Sequence, residues 1–227
     1  MSEIASISVV FPAWDEAENL PTLLSRALEV LPRFAKQFEI IVVDDGSLDE
    51  TPRIAARYPS VRLLRHSHNR GYGAALRTGL RAARYDWIFF SDADLQFDLG
   101  DLEDLIRASH DTDIVAGYRT PRRDPWGRRA LAWIWGQLVR ALYRIRVRDI
   151  DCAFKLFRRS VLEEIPIESV GAFINTEILV RASAAGFRIR QVPVRHFPRH
   201  VGRASGAHPR VILRALSELL TLRARLP

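Results

Sequence analysis

Apolar residues along this chain fall into two alternating patterns. Short continuous runs rich in β-branched and aromatic residues occur at Ile7 to Phe11 (ISVVF), Ile40 to Val43 (IIVV), Val61 to Leu64 (VRLL), Trp87 to Phe90 (WIFF) and Ile114 to Ala116. Runs of that kind predict strands buried on both faces of a sheet. Between them, Leu20, Leu23, Leu24, Ala27, Leu28 and Leu31 recur at helical spacing, and Thr51 to Arg57, Ala74 to Ala83 and Leu102 to Ala108 predict three further helices. Strand alternating with helix predicts an α/β fold: a Rossmann-like, mainly parallel sheet with helices on both faces. Ligands of such sheets bind beyond the carboxyl ends of the strands, where the strand order reverses.

The polar residues collect at those ends. The first four runs lead into PAWDEAEN (Pro12 to Asn19), DDGSLDET (Asp44 to Thr51), HNRGYGAA (His68 to Ala75) and SDADLQ (Ser91 to Gln96). Asp49 and Thr51 beside Pro52 suit a helix cap, and Gly71 and Gly73 suit a turn and a helix start. Asp92, Asp94 and Gln96 occupy alternate positions, so a strand that stays extended sends all three to one side. Neighbouring carboxylates repel unless a proton or a cation compensates them. Mg²⁺ or Mn²⁺ does this well, keeps positions open for phosphate oxygens, and neutralises charge on a leaving diphosphate. The rim is therefore a candidate nucleoside-diphosphate site.

Composition narrows the setting. With 227 residues, 48% of them hydrophobic, the chain buries a sizeable core. Cys152 is the only cysteine and no leader pattern precedes the first strand, so a cytoplasmic setting is expected. No uncharged run reaches the ~20 residues of a membrane span, which leaves a peripheral position at the membrane's cytosolic face open. Charge divides the chain: residues 1–120 hold 19 acidic and 13 basic residues, and residues 121–227 hold 8 acidic and 21 basic. A basic half suits nucleic acid, anionic lipid or phosphate-bearing substrates. Nucleic-acid binding leaves the acidic rim unexplained. A nucleotidyltransferase should carry a Gly-rich loop with lysine where this chain has PAWDEAEN.

VVFPAWDEAENL, VVDDGSLDET, NRGYGAALRTG and SDADLQ together resemble family 2 glycosyltransferases of the GT-A fold, specifically the branch similar to dolichol-phosphate mannosyltransferase. The resemblance runs in order from about Ser6 to Arg203. It implies metal-dependent, inverting transfer of a sugar from a GDP- or UDP-linked donor. Asp92 and Asp94 match the catalytic DxD pair, with Gln96 joining them around Mg²⁺ or Mn²⁺. Asp44, with Asp45, Pro12, Trp14 and Glu16 beside it, matches the acid that holds the base. Trp14 and Asp15 stand where the branch has tyrosine and asparagine. Arg119 of GYR matches an arginine that approaches the phosphates, and Asp149, Phe154 and Lys155 match a DxxxxF[RK] pattern framing the acceptor. Arg199 and Gly202 match a basic loop, although Ser205 is displaced and Gly206 replaces a common lysine, leaving Arg199 and Arg203 for the phosphates.

Residues 126–148 contain Trp126, Trp133 and Trp135, six arginines including Arg129, and no acid. Leu131, Trp135, Leu138, Leu142 and Ile145 form one stripe, and Gln137, Arg140, Arg144 and Arg148 another. Residues 195–227 repeat the theme, with seven arginines against Glu218 alone. There Arg210, Arg214, Ser217, Thr221 and Arg225 oppose Ile212, Leu216 and Leu219. Such helices lie on membrane surfaces or pack on their own core. A phosphate monoester acceptor, with a second pKa of about 6, needs positive charge but no general base. Polyprenyl phosphate is thus the expected acceptor, with Arg119, Arg129, Lys155, Arg199 and Arg203 holding phosphates. A hydroxyl acceptor would call on Glu177 as base. The expected organisation is a catalytic domain over 1–205, with a donor half at 1–120 and an acceptor half at 121–205. A basic amphipathic helix follows at 206–227, and a membrane-anchoring partner protein is a further expected associate.

Overall fold

The computed structural model describes residues 4–123, 126–199 and 209–225. Its strands are β1 (Ile4–Ala13), β2 (Ala35–Asp44), β3 (Val61–Arg65), β4 (Trp87–Ser91), β5 (Ile114–Arg119), β6 (Phe154–Arg158) and β7 (Ile189–Val194). Its helices are α1 (Leu20–Val30), α2 (Thr51–Ala55), α3 (Tyr72–Ala82), α4 (Leu102–Ala108), α5 (Trp126–Tyr143), α6 (Arg159–Glu164), α7 (Ile174–Ala184) and α8 (Pro209–Arg225). The strands form one sheet in the order β3-β2-β1-β4-β6-β5-β7.

β1 pairs in parallel with both β2 and β4, and β2 with β3. The chain steps outward from β1 to β3 and then returns to the other side of β1, so the order reverses between β1 and β4. That reversal opens a crevice at their carboxyl ends, where PAWDEAEN and SDADLQ emerge. β6 then runs antiparallel between β4 and β5, with Phe154 opposite Ser91. Its first residues therefore lie at the same rim.

Alternation along the strands feeds two cores. Ile7, Val9 and Phe11 face α1 and α4 with Phe89 and Phe154, whereas Val10, Ile41, Val43, Phe90 and Phe157 face α3, α5, α7 and α8. Phe89 meets Phe154 edge-on at 4.6 Å, and Phe90 stacks on Phe157 at 5.9 Å. Each such fully buried side chain contributes about 1.5–3 kcal/mol.

The two terminal-half helices use the second core. On α5, Trp135, Leu138 and Leu142 pack inward around buried Val139, as their stripe predicts. Leu131 is 38% exposed, and the helix ends at Tyr143 because Arg144 adopts a left-handed φ of 56°, leaving Ile145 buried beyond it. The predicted basic stripe is accordingly broken, with only Gln137 and Arg140 on the helix. α8 buries Leu219 and Leu222, and the Tyr143 hydroxyl donates to Leu219 O at 2.6 Å. Ser217 and Thr221 face outward as expected. Among the described residues no helix is long and apolar enough to cross a membrane.

Candidate active site

The rim is built by two loops that hold each other. Asp15, left-handed at φ 53°, receives the Leu48 amide on its carboxylate, while its own amide donates to Ser47 Oγ. The Glu16 amide donates to Thr51 Oγ1 and the Ala17 amide to Asp49 Oδ2. Asp49 also receives the Thr51 amide, so these two residues join the loops as well as starting α2. Pro12 sits in β1 beside Val43, and Trp14 is 48% exposed above them.

Asp44 and Asp45 differ in their engagements. Asp44 is fully buried and accepts from the Ser47 amide and from Arg65 Nε, each at 3.0 Å. Asp45, expected to touch the nucleotide, is a turn-holding residue instead. Its oxygens accept the Arg70 and Gly71 amides, and Oδ1 lies 2.6 Å from His66 Nδ1. Within the Gly71–Gly73 segment the Gly71 amide is taken by Asp45, and the amides of Gly73 and Ala74 both donate to Val170 O. A Cβ at Gly73 would stand 2.5 Å from Gly171 O, so close backbone approach is what the glycine serves.

β4 ends at Ser91, so strand alternation does not bring Asp92, Asp94 and Gln96 together, as the extended reading had it. A turn instead places Asp92 beside Asp94, with Leu95 left-handed at φ 60° at a cost of roughly 1–2 kcal/mol, while the Gln96 side chain turns to Phe197 O. Asp94 Oδ1 accepts the Gln96 amide at 3.2 Å, and Oδ2 meets Arg199 Nη2 at 2.5 Å. Arg199 arrives on a strap that follows β7. Phe197 donates to Gln96 O, the Gln96 side-chain amide donates to Phe197 O at 3.1 Å, and Arg195 pairs with Asp98 and Asp101.

Asp92 is the unusual member. Its Oδ1 is shut from solvent and makes no hydrogen bond of good geometry, although the buried Tyr72 hydroxyl stands close enough to favour the ionised carboxylate. Burial, followed by repulsion from Asp94, raises the Asp92 carboxyl to about 7. Burial also raises Glu16, with Asp94 adding to the effect and the Asn19 hydrogen bond opposing it. An orphaned carboxylate oxygen beside a second carboxylate fits a divalent cation. Asp92 and Asp94 would hold such an ion, and Gln96 would have to leave its bond to Phe197 O to join them. Among the described residues no three His, Cys, Asp or Glu side chains stand together as a metal-holding group.

The opposite wall comes from β5, α5 and the turn before β6. Arg119 grips Asp149 through Nε and Nη2, both at 2.7 Å, and is nearly buried there. Burial alone would raise the Asp149 carboxyl, but the bonds and charge of Arg119 hold it below its usual range. Arg119 thus braces the wall, which differs from the expected direct approach to phosphate. Lys155 requires a plainer correction. It is fully buried in β6, and its ammonium contacts Ile150 O, Cys152 O and Asn175 Oδ1, so it organises the 150–152 turn and does not face an acceptor. Glu177 is likewise committed: it receives the Glu168 and Ser169 amides and pairs with Arg181 at 2.9 Å.

Between α5 and the 148–150 turn lies an open cleft of about 460 Å³. It is walled by Arg122, Arg129, Arg140 and Arg148 and edged by Trp126 and Trp133. Arg129 was legible from the arginine-rich segment, but Arg122, and the convergence of Arg140 and Arg148 on one cleft, were not. Trp126 and Trp133 are 83% and 63% exposed, and Ile134 beside them is 57% exposed. Arg203 lies outside the described residues.

A sheet with paired carboxylates at its reversal point and a basic wall introduced by an antiparallel strand has the GT-A architecture of glycosyltransferases. The chain belongs to glycosyl transferase family 2, which it matches over residues 8–166. It is 38% identical over 202 residues to glycosyltransferase AglD of Haloferax volcanii, covering 83% of this chain and 32% of that one. It is 30% identical over 206 residues to undecaprenyl-phosphate 4-deoxy-4-formamido-L-arabinose transferase of Edwardsiella ictaluri, covering 88% and 62%. The chain therefore spans about a third of the first relative's length and less than two thirds of the second's. In fold it is similar to glucosyl-3-phosphoglycerate synthase from Mycobacterium tuberculosis, crystallised with Mn²⁺, UDP and phosphoglyceric acid. The TM-score is 0.78 at 20% identity, covering 98% of this chain and 80% of that one.

Proposed function

We propose that this family 2 glycosyltransferase moves a sugar, with inversion, from a GDP- or UDP-linked donor to a polyprenyl phosphate at an anionic membrane surface on the cytosolic side. The observation that carries this reading is the four-arginine cleft opening beneath outward-facing tryptophans on α5. Arginines match phosphate geometry, and an exposed apolar helix face suits the chain of a lipid. AglD and the arabinose transferase are the relatives in sequence, and the latter is named for undecaprenyl phosphate.

In this reading residues 1–120 hold the donor. Pro12, Trp14 and Glu16 with Asp44 bracket the nucleotide, and Asp92, Asp94 and Gln96 hold Mg²⁺ or Mn²⁺. When bound, the ion supplies positive charge against the departing diphosphate. Residues 121–205 hold the acceptor, and 206–227 add a basic helix; a membrane-anchoring partner protein fits the same surface. Arg122, Arg129, Arg140 and Arg148 dock the acceptor phosphate, whose oxygen bonds to the anomeric carbon as the bond to diphosphate breaks. No proton needs removing from a phosphate dianion, so the commitment of Glu177 elsewhere does no harm.

A second reading, transfer to a soluble hydroxyl, has one observation in its favour. Asp151 follows the cleft-lining Ile150, and burial together with Asp149 raises its carboxyl, as suits a general base. The fold relative with phosphoglyceric acid points the same way. A panel of nucleotide sugars offered with polyprenyl phosphate and with water-soluble hydroxyl acceptors separates the two. Organic-extractable product is expected. Product only in the aqueous phase, lost in Asp151→Asn, overturns the lipid reading.

A further inference from the structure

Both oxygens of Asp94 are engaged, one by the Gln96 amide and one by the guanidinium of Arg199 at 2.5 Å. The Arg199 side chain is 27% exposed and that of Asp94 only 3%, so this ion pair is screened little by water. The neighbouring Asp92 Oδ1 makes no hydrogen bond of good geometry. A divalent ion bridging Asp92 and Asp94 would stand against the guanidinium, and two cations on one carboxylate oxygen repel strongly in a partly buried site. Arg199 is not rigidly placed by its own helix or strand. It sits on the 195–199 strap, held to Gln96 by two hydrogen bonds through Phe197 and by the Arg195 pairs.

We propose that Arg199 is a resident counter-ion which the metal must displace. Its release makes metal binding and diphosphate binding mutually reinforcing. This rests on the metal reading of Asp92 and Asp94. In the metal-free protein Arg199 neutralises Asp94. When the ion takes that oxygen, the guanidinium loses its Asp94 contact and stands close to a second cation, and the repulsion between the two is costly in this partly buried site. An incoming diphosphate removes the cost by accepting the guanidinium. Bare metal therefore binds weakly, and metal with diphosphate binds far better than the sum of the two. By linkage, the metal raises diphosphate affinity by the same factor.

The test is calorimetric titration of Mn²⁺ into the full chain, alone and with saturating inorganic pyrophosphate, for wild type, Arg199→Ala and Arg199→Gln. Thermal unfolding of each variant without metal confirms folding. The prediction has an unusual sign: removing an arginine from the site tightens bare Mn²⁺ binding, on the order of tenfold. The enhancement by pyrophosphate shrinks by a similar factor. Arg195→Ala, which loosens the strap while keeping the guanidinium, should tighten bare Mn²⁺ in the same direction but less. If both Arg199 variants bind bare Mn²⁺ no better than wild type, or keep the full pyrophosphate enhancement, the exchange is overturned while the metal site stands. If no form binds Mn²⁺ under either condition, the metal reading and the exchange fall together.

Discussion

The crevice between β1 and β4 and the outer face of α5 break the usual rule of burial in opposite directions. In the crevice, carboxylates that water ordinarily keeps are removed from it: Asp44, Asp45 and Asp94 are each at most 2% exposed. On α5, side chains that a core ordinarily keeps are handed to water, with Trp126 and Trp133 mostly exposed. Lone exposed hydrophobes are common, and buried charges usually carry partners. Here the departures are clustered. The proposed cation would sit among the carboxylates of the crevice, and the proposed lipid surface against the exposed tryptophans of α5. The distribution of these residues separates the crevice, the proposed donor side, from the α5 face, the proposed acceptor side.

The contrast predicts that the two regions fail differently. Asp94→Asn should abolish turnover with every acceptor, by on the order of 10³-fold or more, because charge compensation at the reacting centre is lost, and it should also lower thermal stability, because the Arg199 guanidinium loses its carboxylate partner. Steady-state assays with lipid and soluble acceptors check this; a loss confined to one acceptor class would break the separation. Arg129→Ala combined with Arg140→Ala should lower kcat/KM for polyprenyl phosphate about 100-fold and leave donor binding intact, since two charge-assisted contacts disappear.

Acidity sharpens the donor side. Asp92 is raised from 3.8 to about 7. Between those values the folded protein keeps a proton that the unfolded chain has lost, so metal-free stability falls as pH rises through that window. A divalent ion competes with the same proton, so its apparent affinity should drop about tenfold for each pH unit below 7. Calorimetry at pH 6 and 8 measures this. The smallest effect belongs to the outer face. Trp126→Ala and Trp133→Ala should each weaken binding to anionic vesicles about fivefold at either ionic strength without loss of stability, while salt weakens wild type and variants alike through the arginines. Vesicle sedimentation at two ionic strengths, alongside thermal unfolding, checks both parts.

The donor side was legible because its strands are continuous apolar runs and its loops carry carboxylates in short, ordered blocks. The acceptor side was not, and the reasons are physical. β6 (FKLFR) buries a lysine in its middle, which reads as a surface strand or none; only the Asn175 carboxamide and two carbonyls make that burial tolerable. β7 (IRQVPV) is an edge strand whose exposed Arg190 and Pro193 hide its pairing with β5. Asp45, Arg119 and Lys155 look like ligand contacts by motif, yet each holds the scaffold, because sequence gives residue type and spacing but not which group is nearest. The approach of Arg199 to Asp94, across 105 residues, depends on a strap that pairs with Gln96 and has no periodic signature.

The reversed direction of β6 has a consequence for how such an enzyme diversifies. Because β6 starts where β4 stops, with Phe154 opposite Ser91, the whole stretch from the end of β5 to the start of β6 is one excursion. It leaves the rim and returns to it. Everything within it, α5 and its arginines included, is an insert whose two ends are anchored by the sheet. If the crevice takes the donor and this insert the acceptor, as proposed, exchanging the insert for another would change the acceptor while the crevice kept its geometry, by replacement of a cassette rather than by remodelling of a fold.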